Sequence, residues 1–184
     1  MLPRMIVRRA VLASVVLTLT GCLPVGGSPP IPSDAPAPRP VETVPQDGAV
    51  ELAVVAVREY LDVSAAISAT GGVDTSAIDD VVSEEWRVEE LAGFEAVREL
   101  GVAPVGAPTV TKLEVTALSG VSSVSEAVVE VCTSTTGVTV VDEDGTALPV
   151  EPEIHRLTIF VVARGDRFVV DGVEMMEDTT WCAE

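Results

Sequence analysis

Apart from the carboxylates, five side chains stand out in this chain of 184 residues as capable of chemistry. They are three cysteines, one tyrosine and one histidine: Cys22, Cys132, Cys182, Tyr60 and His155. A thiol can accept a lipid, form a disulfide or bind a metal, whereas tyrosine and histidine can transfer protons. The segment that holds each residue decides which of these reactions is open to it.

Cys22 closes a segment with the layout of an export signal. Basic residues near the start precede an apolar run from Ala10 to Leu19, and Gly21 comes directly before Cys22. A transmembrane helix needs ~20 apolar residues, about twice this run, so a secretory signal is favoured over a transmembrane anchor. The sequence Leu19-Thr20-Gly21-Cys22 resembles the lipobox of bacterial lipoproteins.

The lipobox resemblance implies that Cys22 carries a covalent diacylglyceryl group and that residues 1–21 are a cleaved signal peptide. We therefore expect no cofactor other than this lipid, membrane attachment through it, and a location on the outer face of the cytoplasmic membrane. Two acyl chains anchor a protein stably, whereas one chain holds it only marginally. Arg8 and Arg9 also resemble a twin-arginine signal, so the export route stays open.

The charge balance excludes several partners. Removal of residues 1–21 takes away three arginines and no acidic residue, which leaves 8 basic and 29 acidic residues and a net charge of −21. Such a surface repels phosphate backbones, so we expect no nucleic-acid binding. It is equally unsuited to electrostatic adsorption on an anionic membrane.

Residues 22–46 form a predicted tether between the lipid and a folded domain. Eight prolines, together with glycine and serine, leave little apolar surface to bury. An extended polyproline-like chain is therefore expected, at ~3.1 Å per residue. The remaining residues, 47–184, are enough for one hydrophobic core, and we predict a single domain there.

Helix signals come first in this domain. Apolar residues recur at intervals of three and four after Asp47, which predicts a helix capped by Asp47, running to about Ile67 and ended by Gly71-Gly72. A short second helix is predicted after Ser76, with Asp79 completing a capping-box variant. A third is predicted over 88–100, ended by a glycine.

The apolar period then changes from about 3.6 to 2, which indicates strands. A turn is expected at Asp142-Glu143-Asp144-Gly145, and Gly165-Asp166 suits a two-residue hairpin turn. Helices followed by antiparallel strands predict an α+β fold. The predicted strands are 110–117, 126–132, 137–141, 155–164 and 167–174.

This element order resembles the NTF2-like superfamily over roughly residues 47–184, which implies N-terminal helices packed in the hollow of a curved antiparallel sheet. The chain also resembles a group of exported lipoproteins from high-GC Gram-positive bacteria. That second resemblance is carried by Val129-Glu130-Val131-Cys132-Thr133, Val141-Asp142-Glu143-Asp144-Gly145, the late hairpin Arg164–Val170 and Cys182. These motifs are structural and support the fold more than an activity.

Cys132 and Cys182 are predicted to form a disulfide, because an even number of cysteines is left in an oxidising compartment. The bond would hold the tail after Glu174, with Trp181 beside it, against the second long strand. Two buried free thiols and a metal pair are the alternatives. A metal site needs further ligands, and with His155 as the only histidine we expect none.

Tyr60 is a weak candidate for catalysis, and we expect an enzyme less than a binding module. The NTF2-like resemblance implies that an enzyme of this fold would place Asp, Tyr or His in the apolar hollow, where pKa values shift. Tyr60 falls on the inward or boundary face of the first helix, where a core residue is the common explanation. His155 is expected in solvent at the start of a strand.

Three functions remain open. The first is a noncatalytic, lipid-anchored binding or interaction module of the cell envelope, whose partner is a protein or a small apolar ligand. The second is an isomerase or dehydratase that uses Tyr60 and an inward carboxylate on a small apolar substrate. The third is a scaffold whose acidic surface meets a basic partner.

Overall fold

The computed structural model describes residues 41–120 and 122–183. Cys22, the signal peptide 1–21 and most of the tether therefore lie outside the described residues. Among the described residues, no helix is both long and apolar enough to span a membrane.

Three helices lie near the start of the described chain. They are α1 (Ala49–Ala69), α2 (Ile78–Val81) and α3 (Glu84–Leu100). The N-cap of α1 is Gly48, with φ at 90° in the left-handed region that suits glycine, and no side chain of the described residues caps this end. The prediction of an Asp47 cap is therefore wrong.

The second and third helices divide at Ser83. Its hydroxyl accepts a hydrogen bond from the Trp86 backbone N–H at 3.0 Å, which starts α3 four residues before the predicted Val88. Trp86 therefore lies in the first turn of α3. The predicted capping box is also wrong, since Ser76 contacts Asp74 instead of capping α2.

The largest sheet contains four antiparallel strands, and its register places residues of neighbouring strands side by side on each face. Their order across the sheet is β3 (Thr109–Ser119), β5 (Glu126–Ser134), β8 (Ile154–Arg164) and β9 (Arg167–Met176). Two smaller sheets complete the strands: β2 (Val102–Val105) with β6 (Thr139–Asp142) and β7 (Ala147–Leu148), and β1 (Val44–Pro45) with β4 (Ser123–Val124).

The first helix covers one face of the four-stranded sheet. Ala53 and Val57 of α1 are fully buried, as are Val129, Ile159 and Val170 on neighbouring strands. Side chains two positions apart on a strand share a face, so the alternation in the sequence creates this apolar layer. Each fully buried Val or Ile contributes roughly 1.5–3 kcal/mol relative to exposure. A short 3₁₀ helix, Thr180–Ala183, follows β9.

The α+β prediction, with helices packed on antiparallel sheet, is confirmed. The hairpin about Gly165-Asp166 and the turn at residues 142–145 are also present. Strands β1 and β2 were not predicted. Val44 is fully buried and is paired with Val124, so ordered structure includes residues that the sequence assigned to the tether.

Candidate functional site

A cavity of about 350 Å³ lies between the second half of α1 and the strands. Its helical wall is formed by side chains from two turns of α1: Leu61, Asp62, Ser64, Ala65 and Ser68. Leu61, Ser64, Ala65 and Ser68 are spaced at three, four and seven residues, which puts them on one face of the helix.

Small side chains create the space. The same face of α1 carries larger groups earlier in the helix, where Val57 and Tyr60 are buried. From Ser64 to Ser68 the face presents serine and alanine, which leave a gap that Val or Leu would fill. The cavity therefore follows from residue size on one helix face.

The opposite wall comes from the sheet and from the loop before β3. Val110, Thr133 and Leu157 belong to three adjacent strands, and Thr133 is the Cα partner of Val110. The remaining lining residues lie near the ends of β2, β3, β5 and β6: Pro104, Gly106, Ala107, Pro108, Thr135 and Val138. The wall is mainly apolar, with threonine hydroxyls near the end of β5.

Tyr60, the weak catalytic candidate, lies one helical turn before Ser64. Its side chain is buried, and its hydroxyl donates a 2.7 Å hydrogen bond to Oε1 of Glu90 on α3. The Trp86 indole N–H donates to the same oxygen at 3.1 Å. One carboxylate oxygen therefore joins α1 to α3 through two donors.

Burial controls the ionisation of this cluster. Removal from water raises the pKa of Glu90, and the hydrogen bonds from Tyr60 and Trp86 oppose that change. Burial also raises the pKa of Tyr60 far above 10.0, and the adjacent Glu90 charge adds to this effect. At neutral pH the Tyr60 hydroxyl is therefore a hydrogen-bond donor and a poor base.

The Tyr60–Glu90 pair and the cavity are separate. Neither residue is among those that line the cavity, whereas Ser64, one helical turn after Tyr60 on α1, does line it. The sequence did not single out Glu90. Its position four residues after Trp86, on the same helix face, is the signal that could have identified it.

His155 lies at the start of β8, where it is the Cα partner of Thr133. It is half-buried and not fully in solvent as expected, and its Nε2 lies 3.6 Å from a Glu153 carboxylate oxygen. His155 forms no common site with Tyr60 or with the two cysteines in the part of the chain that the structure describes. Within the described residues, no group of three or more His, Cys, Asp and Glu residues could hold a metal ion.

Cys132 and Cys182 form a disulfide, with their Cα atoms 5.6 Å apart. The bond attaches the 3₁₀ helix to β5, the second long strand, as predicted. Lys112 on β3 reinforces the attachment, since its Nζ donates to the Trp181 carbonyl at 3.0 Å and lies 4.1 Å from the ring centroid. The guanidinium carbon of Arg156 lies 5.4 Å from the centroid of the same ring.

These tail contacts lie on the face of the sheet away from the cavity. Successive residues of a strand point to opposite faces, so Cys132 and Thr133 cannot share one. Thr133 lines the cavity, whereas Cys132 is bonded to the tail. The disulfide therefore attaches the tail to the face of the sheet opposite the cavity and does not contact the cavity.

Comparisons with known proteins identify a similar fold and no relative by sequence. No protein-family model matches the chain, and no curated protein matches it. The intermembrane space region of the chloroplast protein ARC6 is similar in structure, with a TM-score of 0.51 and 11% identity, covering 70% of this chain and 97% of that chain.

A second solved structure shows a weaker likeness. It is a putative calcium/calmodulin dependent protein kinase II association domain from Xanthomonas campestris. The TM-score is 0.45 and the identity is 15%, with 75% of this chain and 96% of that chain covered. At such low identities a likeness bears on the fold alone, so function has to be argued from the site itself.

Proposed function

We propose that this protein is a lipid-anchored lipoprotein on the outer face of the cytoplasmic membrane, with a noncatalytic domain that binds a small apolar molecule. Cys22 would carry the diacylglyceryl anchor, and the proline-rich tether would separate the domain from the lipid. The lipobox-like sequence supports the anchor, and the cavity beside α1 supports the binding role.

The cavity between α1 and the sheet is the observation that carries the binding role. Its volume of about 350 Å³ is within the roughly 300–1,000 Å³ range of small-molecule pockets. Its walls are mostly apolar, and two serines and two threonines are among the residues that line it. This combination suits a small ligand with an apolar body and few hydrogen-bonding groups.

Fluorescence of N-phenyl-1-naphthylamine, a neutral apolar probe, tests the binding role. Ala65 lines the cavity and Ala66, its neighbour on α1, is exposed. Ala65→Phe should weaken probe binding by about tenfold or more, because the added ring occupies the space of the ligand. Ala66→Phe adds the same ring to the helix surface and should leave the affinity unchanged.

Thermal unfolding of both variants shows whether each has folded. If Ala65→Phe does not fold, Ser68→Leu provides a second change to the same wall. Equal probe affinity in the wild type, the folded cavity variant and Ala66→Phe would contradict the binding role.

The anchor is tested by membrane partitioning. Full-length protein should sediment with membranes, and Cys22→Ala should release it, because no diacylglyceryl group can then be attached. Cys132→Ala is the matched cysteine control and should remain membrane-bound. Membrane retention of the Cys22→Ala protein would refute the lipid anchor.

A proton-transfer enzyme of the isomerase or dehydratase type is a second candidate, favoured by the hydrogen bond between Tyr60 and the half-buried Glu90. The pair lies outside the cavity lining, which weighs against it. If the candidate is right, Tyr60→Phe should abolish turnover of a substrate that binds in the cavity. If the protein only binds, Tyr60→Phe should leave probe affinity unchanged and no turnover should be found.

A further inference from the structure

Asp62 is the single charged residue among the described residues that line the cavity. Asp62 lines the cavity and is exposed, which places its carboxylate at the edge. No Lys, Arg or His occurs among the described residues that line the cavity. A bound anion would therefore face a carboxylate with no basic residue in the lining to balance it.

The end of α1 adds to this negative character. The carbonyl end of a helix carries a partial negative charge, felt within the last turn. Ala65 and Ser68 line the cavity near that end. The last turn of α1, all of which the structure describes, contains no basic residue, whereas α3 has Arg98 in its last turn.

Positive groups on the four-stranded sheet are held elsewhere. Lys112 and Arg156 lie on the opposite face, where Lys112 contacts Trp181 and Arg156 donates to Glu130 at 2.9 Å. His155 shares the sheet face of Thr133 and Leu157 but is not among the lining residues, and its Nε2 lies 3.6 Å from a Glu153 carboxylate oxygen. The fold therefore keeps Lys112 and Arg156 away from the cavity and leaves Asp62 at its edge.

We infer that the cavity selects a cationic amphiphile, with its apolar body against Leu61, Val110 and Leu157 and its ammonium group at Asp62. This inference rests on the proposed binding function and specifies its ligand class. The uncharged lining accepts the apolar body, while the Asp62 carboxylate favours the positive head.

Competition against N-phenyl-1-naphthylamine measures this selectivity. The competitors are octyltrimethylammonium, octanol and octyl sulfate, which share one chain and differ in the charge of the head group. A unit charge a few ångströms from Asp62 in a solvated setting changes affinity by about fivefold. The cation should therefore displace the probe best and the sulfate worst, each differing from octanol by about fivefold.

Asp62→Asn separates a local effect from the overall charge of the protein. It should cut the preference for the cation over octanol by several-fold. Asp166→Asn, in the exposed β8–β9 turn, changes the net charge equally and should leave that preference intact. N-phenyl-1-naphthylamine itself is neutral, so its affinity should stay the same in both variants.

The outcomes distinguish this inference from the proposed function. Equal displacement by the three competitors, or equal effects of the two Asp→Asn changes, would overturn the inference about the ligand class. The proposed binding function would still stand if Ala65→Phe weakens probe binding. If Ala65→Phe does not change probe affinity, both the binding function and the ligand class are contradicted.

Discussion

Replacement of Cys132 and Cys182 by alanine should lower the free energy of unfolding by about 4 kcal/mol. The two residues are 50 positions apart, so the disulfide removes the freedom of a long loop from the unfolded chain. Domains of this kind are stable by only about 5–15 kcal/mol, so the loss is a large fraction of the total.

Urea unfolding of the oxidised wild type and the double variant, followed by circular dichroism, measures this difference. With a slope of about 1–3 kcal/mol per molar urea, the midpoint should fall by about 1–4 M. Reductant should lower the midpoint of the wild type and leave the double variant unchanged.

Probe affinity provides an internal control. Cys132 and the cavity residue Thr133 point to opposite faces of β5, so loss of the disulfide should leave N-phenyl-1-naphthylamine binding unchanged under native conditions. A stability difference below about 1 kcal/mol would show that the loop is already restricted in the unfolded chain and would refute the entropy estimate. Two alkylatable thiols in oxidised, unfolded protein would refute the bond itself.

Three further outcomes follow from buried groups and backbone geometry. Burial raises the pKa of Glu90 above its ordinary 4.5, so the folded state holds a proton that the unfolded chain releases, and stability is lost as pH rises through the raised pKa. Glu90→Gln keeps an oxygen acceptor and should abolish this loss in urea titrations across pH. Tyr60 is the only tyrosine, and its raised pKa predicts that tyrosinate absorbance appears only when base unfolds the domain. Gly72→Ala should lower the free energy of unfolding in urea by more than about 1 kcal/mol, because φ is +72° and the new Cβ would meet the Phe94 carbonyl. Gly93→Ala is the control: it has open space in α3 and should stabilise the domain by about 0.5–1 kcal/mol. Equal effects at the two glycines would contradict the steric reasoning.

The spacing of apolar residues predicted the long helices and strands, because burial of one face determines both that spacing and the packing of the element. Alternation at Ala127, Val129 and Val131 placed all three in the core. On α1 the apolar residues that recur at intervals of three and four include Ala53 and Val57, which are fully buried. Such positions are decided by side-chain burial, which is large compared with local preferences.

Local choices were predicted less well. Asp47 is a good capping residue, but the chain turns at Gly48, whose left-handed backbone starts α1 without a side-chain cap. Strand β1 is only two residues long, so it has no period to detect. Its pairing with Val124 depends on a partner about 80 positions away, which a local pattern cannot reveal.

The site was missed for a different reason. A cavity is an absence of side-chain volume, and Ser64, Ala65 and Ser68 are ordinary helix residues when considered singly. Only the position of β3, β5 and β8 opposite them shows that a pocket lies between helix and sheet. Glu90 was likewise one of many carboxylates until packing brought α3 against Tyr60.

The proposed lipid anchor and the disulfide are separate features that point to the same compartment. A disulfide persists where the surroundings are oxidising and is rare in the bacterial cytoplasm. If the proposed export is right, Cys132 and Cys182 meet oxidising conditions as soon as the domain has crossed the membrane. The predicted loss of about 4 kcal/mol on removing the bond then means that the domain is markedly less stable before export than after it. Low stability on the cytoplasmic side would favour transport as an unfolded chain, so the same bond that supports the sheet behind the cavity would stabilise the domain only at its destination.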